Sequence, residues 1–142
     1  NAKAFNDLIN HQSGLLGISG ISSDMQDLLQ HGKENKDAAL AIDIFCYQVK
    51  KFIGGYATVL GGLDTLVFSG GIGEHSPQVR SKICDNLEFL GIELDEIKNM
   101  NNEAVISTEN SQVKVHVIKT NEEEMIAKLV SKILNHSNDY TN

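Results

Sequence analysis

The sequence predicts an α/β fold, and three observations carry that expectation. Residues 65–68 (TLVF) and 113–118 (VKVHVI) are short β-branched runs, the second alternating Val113, Val115 and Val117 with Lys114, His116 and Ile118. The stretches before, between and after these runs place apolar residues at helical spacing. The first run also passes through Gly70-Gly71-x-Gly73 directly onto a helix that Pro77 can open. Glycines so closely spaced allow positive φ and remove the Cβ atoms that hold a ligand away from the main chain.

Taken in order, residues 2–10 set Ala4, Phe5, Leu8 and Ile9 on one face of a short amphipathic helix ending near His11. Leu15 to Ile18 reads as a strand or extended run, and a short helix follows with Ser22, Ser23 or Asp24 as N-cap. The longest helix spans Lys36 to Leu60, capped near Asn35 or Asp37. Its apolar residues Leu40, Ile44, Val49, Phe52, Ile53, Tyr56 and Val59 spread widely round it, which predicts a largely buried element. Gly54 and Gly55 interrupt it at a cost of up to ~1 kcal/mol each, consistent with either a close approach or a kink. The strand 65–68 is short and apolar enough to be buried on both faces of a sheet. After it, Pro77 to Leu90 forms a helix with Val79, Ile83, Leu87 and Leu90 on one side and Gly91 closing it. Residues 93–103 form a loop with one helical turn, residues 109–111 turn into the strand 113–118, and a last helix runs from Thr120 or Asn121 to about Leu134. Residues 136–142 should fray.

The chain is of one-domain size at 142 residues. Its net charge of −7 comes from scattered acids without a Lys/Arg block, which argues against nucleic acid or an anionic membrane as partner. An anionic ligand would then need Mg²⁺ and aimed backbone amides to offset its charge locally. Cys46 and Cys84 fall within helical patterns and lack metal-like spacing, so both read as reduced, core or half-buried thiols. There is no membrane-length apolar stretch and no signal-peptide pattern, which points to a cytoplasmic location. The first residues, without an initiator Met, read as part of a longer chain.

Two general readings of the glycine segment compete. Gly71-x-Gly73-x-x-Ser76 is a dinucleotide fingerprint without its third glycine, with Glu93 or Asp95 at the distance of a ribose-binding acid. A purely structural tight turn is the other reading. A Walker-type phosphate loop is excluded, because no Gly-x-x-x-x-Gly-Lys-Ser/Thr run occurs. Three loop-to-helix junctions, at 22–27, 70–77 and 120–124, each bring polar groups to a helix N-terminus. Ser23-x-x-Gln26 and Thr120-x-x-Glu123 match a capping box, so capping alone accounts for two of them. Capping needs one acid, however, and Glu122, Glu123 and Glu124 supply three just past a strand end. One of these carboxylates is free to face Mg²⁺ or its water shell.

The segments SGLLGISGISSDM, GGLDTLVFSGGIGEHSPQVR, LEFLGIEL, VISTENSQVKVHVI and TNEEEMIA, in this order, resemble the C-terminal part of the acetate kinase family, within the acetate and sugar kinase/Hsp70/actin superfamily. The resemblance covers nearly all of the chain after about residue 12. It implies that residues 1–142 are part of an actin-like (ribonuclease H-like) ATPase domain, a mixed sheet with flanking helices, with the N-terminal domain absent. It implies a full-length cytoplasmic homodimer that moves the γ-phosphoryl group of ATP reversibly to acetate, giving acetyl phosphate and ADP. Propionate and butyrate kinases, or a fragment that only binds nucleotide or dimerises, are the alternatives.

By the same resemblance, Asp24, Met25 and Gln26 together with Gly71, Ile72, Gly73, Glu74 and His75 match the segments that contact adenosine, and Glu122 matches the Mg²⁺-associated glutamate. The family commonly has Arg at the position of Gln26 and Asn at that of His75, which implies an altered nucleotide affinity or preference. Its phosphate-binding strand, and the Arg and His residues that hold acetate and stabilise the transferring group, have no counterpart here. No catalytic residue is therefore expected in this chain, and the chain alone should be inactive.

Overall fold

The computed structural model describes the backbone of residues 1–138 and side chains through Leu134. It is an α/β arrangement in which one long helix organises the rest. The elements are α1 (Ala2–His11), α2 (Gly14–Ser19), α3 (Met25–His31), α4 (Lys36–Leu60), β1 (Thr65–Phe68), α5 (Gly70–His75), α6 (Pro77–Cys84), α7 (Glu96–Met100), β2 (Lys114–Val117) and α8 (Glu122–Asn138). A 3₁₀ turn at Glu88–Leu90 separates α6 from α7.

Helix α4 starts where Asn35 Oδ1 accepts from the amides of Asp37 and Ala38 at 2.9 and 3.1 Å. It turns one stripe inward, Ala38, Ala41, Ile42 and Cys46. That stripe meets Met25 and Leu28 of α3 and Val79, Ile83 and Cys84 of α6 in a single core that continues through Leu87, Ile92, Ile106, Val113, Val115 and Val117. Leu28, fully buried, contributes about 1.5–3 kcal/mol by leaving water. The strands β1 and β2 pair in parallel, Thr65 against Lys114 through Phe68 against Val117. Isolated antiparallel bridges, Leu94 to Ser107 and Val105 to His116, extend this small sheet and give it a mixed character.

Five expectations change. Residues 15–18 are helical, because Leu15 and Ile18, three apart, both turn toward the core. Gly20 then ends the turn in the left-handed conformation, donating to Leu16 O at 2.8 Å. Helix α4 is covered on its inner stripe alone: Leu40, Tyr47, Phe52, Tyr56, Val59 and Leu60 are exposed. Its glycines leave the helix continuous and receive no close neighbour, since a Cβ at Gly54 or Gly55 meets nothing within 4 Å. Strand β1 is not buried on both faces; Phe68 is buried but Val67 is 46% exposed, because helices cover one face of this narrow sheet. Finally, α6 stops at Cys84 rather than Leu90. Asp85 leaves helical geometry, Asn86 takes a positive φ of 59°, and Lys50 Nζ seals the break by donating to Asp85 O at 2.7 Å. The last helix is helical through Asn138, past the point where fraying is expected, and residues 139–142 lie outside the described residues.

Candidate functional site

The glycine segment is not an open loop. Gly70 opens α5 with φ +70°, a conformation that glycine adopts without strain, and Gly71 to His75 complete one and a half turns. Gly73 is there for a different reason: a Cβ on it would stand 3.2 Å from the carbonyl carbon of Phe68, so α5 lies directly on the end of β1. A Cβ at Gly71 meets nothing within 4 Å. Ser76 and Pro77 then start α6, with Pro77 in its first turn.

This geometry sets α5 and the start of α6 opposite the start of α3, and a cleft of about 900 Å³ lies between them. Ser23, Asp24, Met25, Gln26, Leu29 and Gln30 form one wall, and Gly71, Ile72, His75, Ser76 and Gln78 form the other. Segments some 45 residues apart in sequence, singled out separately, are thus brought together. The lining is hydroxyl, carboxamide and imidazole with apolar patches; Asp24 is its one carboxylate, and no Lys or Arg contributes. Asp24 is itself engaged, its Oδ1 accepting from the amide of Gln26 at 2.7 Å as N-cap of α3. Met25 is 3% exposed, so its side chain anchors the wall from the core.

Glu74 and Gly73 do not line the cleft but hold its wall. Glu74, 8% exposed, accepts three hydrogen bonds on Oε1: from the amide of Gly70 at 2.9 Å, and from the amide and Oγ1 of Thr120 at 2.9 and 2.8 Å. The Thr120 amide, then its hydroxyl, lower the Glu74 pKa below the ordinary carboxylate value against the opposing effect of burial. One carboxylate therefore ties α5 to the segment joining β2 and α8. Two residues beyond Thr120, Glu122 begins α8, exposed and outside the cleft lining. The cap of α8 is not Thr120 with Glu123. Asn121 Oδ1 accepts from the amide of Glu124 at 3.0 Å, and Asn121 Nδ2 donates to Glu124 Oε2 at 2.9 Å, because Thr120 is already committed to Glu74. Lys128 pairs with the same glutamate at 2.6 Å. Glu124 is thus the structural acid of the three, and Glu122 and Glu123 stay exposed.

The same applies at α3, where Asp24 rather than Ser23 supplies the cap. The dinucleotide reading loses its acid: Asp95 caps α7 through the amides of Ile97 and Lys98, Glu93 receives Thr108 Oγ1 at 3.3 Å, and neither lines the cleft. A second cavity of about 520 Å³ lies between α4 and α6 and contains none of the residues singled out for chemistry. It holds Cys46 and Cys84, whose thiols burial pushes up, that of Cys84 to about 12, so both are protonated and inert at neutral pH. Among the described residues, no three of His, Cys, Asp and Glu converge as a metal cage. No helix among them is long and apolar enough to cross a membrane.

Sequence reasoning misses Leu29, Gln30 and Gln78 in the cleft. Gln30 could have been found, since it lies one turn beyond Gln26 on the same helix face. Arg80 was also missed. It lies fully buried beneath the C-terminal turn of α5, and its position three and four residues before Ile83 and Cys84 is the signal that it shares their inward face.

The acetokinase family model matches residues 1–128. The acetate kinase of Clostridium botulinum (strain Eklund 17B / Type B) is 54% identical over 133 residues, and propionate kinase PduW of Salmonella typhimurium is 52% identical over 129. Each alignment covers 90% of this chain but 33% and 32% of the relative, so the chain spans about a third of the length of the curated relatives it matches. Among solved structures, Porphyromonas gingivalis acetate kinase superposes with a TM-score of 0.85 at 42% identity, covering 94% of this chain and 35% of that one. A propionate kinase from Francisella tularensis does so with 0.81 at 43% identity, covering 89% and 33%. The α/β fold of this chain is accordingly that of part of an actin-like ATPase, and the chain belongs to the acetokinase family.

Proposed function

We propose that this chain supplies the adenosine-binding side of an acetate kinase, which in its full-length form transfers the γ-phosphoryl group of ATP reversibly to acetate, yielding acetyl phosphate and ADP. The observation that carries this reading is the convergence of residues 24–26 with Gly71, Ile72, His75 and Ser76 on one cleft whose lining has no cationic side chain. Such a lining suits the uncharged part of a nucleotide. The bare backbone at Gly71 leaves room for a flat base, and the Gln26, Gln30 and His75 side chains can donate to or accept from base and ribose. A polyphosphate extending out of the cleft would meet its positive charge elsewhere.

Glu122 is the residue assigned to Mg²⁺ in this reading. Magnesium keeps most of its waters and takes one or two carboxylates plus substrate phosphates, so the exposed Glu122, carried on a segment that Glu74 ties to α5, suffices without a protein cage. When bound, the ion would neutralise charge developing on the phosphates. The role of Glu122 is to orient it or its waters; the role of Glu74 and Thr120 is to hold Glu122 in register with the cleft. The chain alone should be catalytically silent. Its single arginine, Arg80, is buried and fully engaged with carbonyl oxygens, leaving no guanidinium to stabilise a transferring phosphoryl group. The exposed apolar faces of α1, α4 and α8 support burial against the rest of the full-length protein and its dimer partner.

Propionate or butyrate as acceptor is the second reading, favoured by propionate kinases that match at 51–52% identity, close to the acetate kinases. The test is kinetic. Full-length protein carrying this segment should form acyl phosphate from ATP in a Mg²⁺-dependent reaction, and kcat/KM for acetate, propionate and butyrate ranks the acceptors. Failure to bind ATP at all would exclude both kinase readings.

A further inference from the structure

Arg80 sits in an unusual position. It is 0% exposed yet forms no ion pair among the described residues, whereas buried guanidinium groups ordinarily meet a carboxylate. All five of its N–H groups are satisfied by neutral oxygens instead. Nε donates to Asn99 Oδ1 at 2.8 Å; Nη1 donates to Gly73 O at 2.7 Å and Glu74 O at 3.1 Å; Nη2 donates to Asn99 O at 2.8 Å and Asn102 Oδ1 at 2.6 Å. Burial lowers the pKa of the group from its ordinary value, and these bonds are what offset the loss of hydration.

The two carbonyls gripped by Nη1 belong to the last turn of α5, where a helix runs out of its own donors. The next residues, His75 and Ser76, line the cleft. On the far side of the guanidinium, Asn99 is fully buried and pinned by its own Nδ2, which donates to Pro77 O at 3.0 Å and Ser81 Oγ at 2.8 Å. The fork thus spans from α7 through the start of α6 to the wall of the cleft. We propose that Arg80 is a positioning residue for the nucleotide: without touching it, the guanidinium fixes the end of α5 so that His75 and Ser76 stand opposite Gln26. Lysine cannot replace it, because an ammonium lacks the planar fork that reaches Gly73 O, Glu74 O and Asn99 together. This rests on the nucleotide reading of the cleft.

The experiment compares full-length wild type with Arg80→Lys and Asn102→Gly, measuring ATP binding by calorimetry, KM for ATP and for acetate, kcat, and the melting temperature. Asn102 has a φ of +52°, so glycine suits its backbone and the change removes one acceptor of the fork. At a temperature where the variants are folded, Arg80→Lys should weaken ATP about tenfold while KM for acetate moves less than about twofold, since displacing a binding group by a fraction of an ångström acts locally. Asn102→Gly should weaken ATP by about two- to threefold, the loss of one hydrogen bond out of five. Wild-type ATP affinity in folded Arg80→Lys overturns the proposal, as does an equal rise in both KM values, which would mark a general loosening. Should Arg80→Lys fail to fold, wild-type ATP affinity in Asn102→Gly overturns it alone. Wild-type protein that binds no ATP refutes the nucleotide reading itself, before either variant is compared.

Discussion

Gly71 and Gly73 sit two residues apart on α5, and adding one methyl group to each should have opposite consequences. At Gly71 the Cβ enters open space within the cleft, with nothing inside 4 Å. Alanine there replaces a helical glycine without a clash, so the fold should hold or gain up to about 1 kcal/mol. The same methyl occupies room assigned to the base or ribose, and a loss of about 1.4 kcal/mol of binding would raise KM for ATP about tenfold. At Gly73 the Cβ stands 3.2 Å from the backbone of Phe68 and 3.4 Å from its Cβ. Neither atom belongs to a flexible side-chain end, so Gly73→Ala should destabilise by about 1–3 kcal/mol through overpacking. The assay pairs calorimetric melting with steady-state kinetics in full-length protein carrying each change. Gly71→Ala should leave melting intact and raise KM for ATP with KM for acetate unchanged; Gly73→Ala should lower the melting temperature. An unchanged KM for ATP in Gly71→Ala would refute the placement of the nucleotide against α5.

Glu74 has a folded-state pKa below the 4.5 of a free glutamate, so its contribution to stability is complete above that value and is lost as pH falls through the lower, folded one. Melting curves between pH 6 and 3 should therefore show a Glu74-dependent fall confined to the acid end, absent in Glu74→Gln; a fall of equal size in that variant would assign it to other carboxylates. Glu122→Ala should reduce kcat and shift the Mg²⁺ dependence, whereas Glu124→Ala, which loses the exposed side-chain contacts to Asn121 and Lys128, should cost about 0.5 kcal/mol of helix stability and leave the Mg²⁺ response alone. Mg²⁺ titrations with the opposite pattern would place the metal elsewhere. The isolated chain should make no acetyl phosphate from ATP and acetate; turnover that persists after stringent purification would mean that a phosphoryl-stabilising group lies within it. Sedimentation velocity over a dilution series should show the isolated chain self-associating, since apolar residues such as Phe52, Tyr56 and Leu60 are exposed; a monomer at all concentrations counts against pairing through this face.

The sequence made legible whatever depends on local chemistry. The bounds of α1, α4 and β1, the cap at Asn35, Pro77 at the start of α6 and the turn before β2 follow from residues within a few positions of one another. The cleft residues were legible because the resemblance of 24–26 and 71–75 to a known family rests on contiguous motifs, and the cleft brings six of those eight together. What was not legible depends on partners distant in sequence. Nothing near Leu15 distinguishes a six-residue helix from a strand until α4 is placed beside it. Thr120 looks like a helix cap until Glu74, far upstream, claims it. The burial of α4 was overestimated because apolar residues declare that a face seeks cover without saying which chain segment provides it. The sequence shows that Gly73 lacks a Cβ but not that Phe68, and no ligand, takes the room.

The solitary arginine also makes the chain its own reporter of opening. An arginine-specific protease finds one bond, Arg80 to Ser81, in mid-helix, with its recognition side chain wholly enclosed. Cleavage can proceed only from molecules in which α6 has come loose, so at low protease its rate tracks the population of that open form. A ligand that binds only the closed form must slow the cut in proportion to its occupancy. Digestion followed on a gel would thus measure how firmly the wall of the cleft is held.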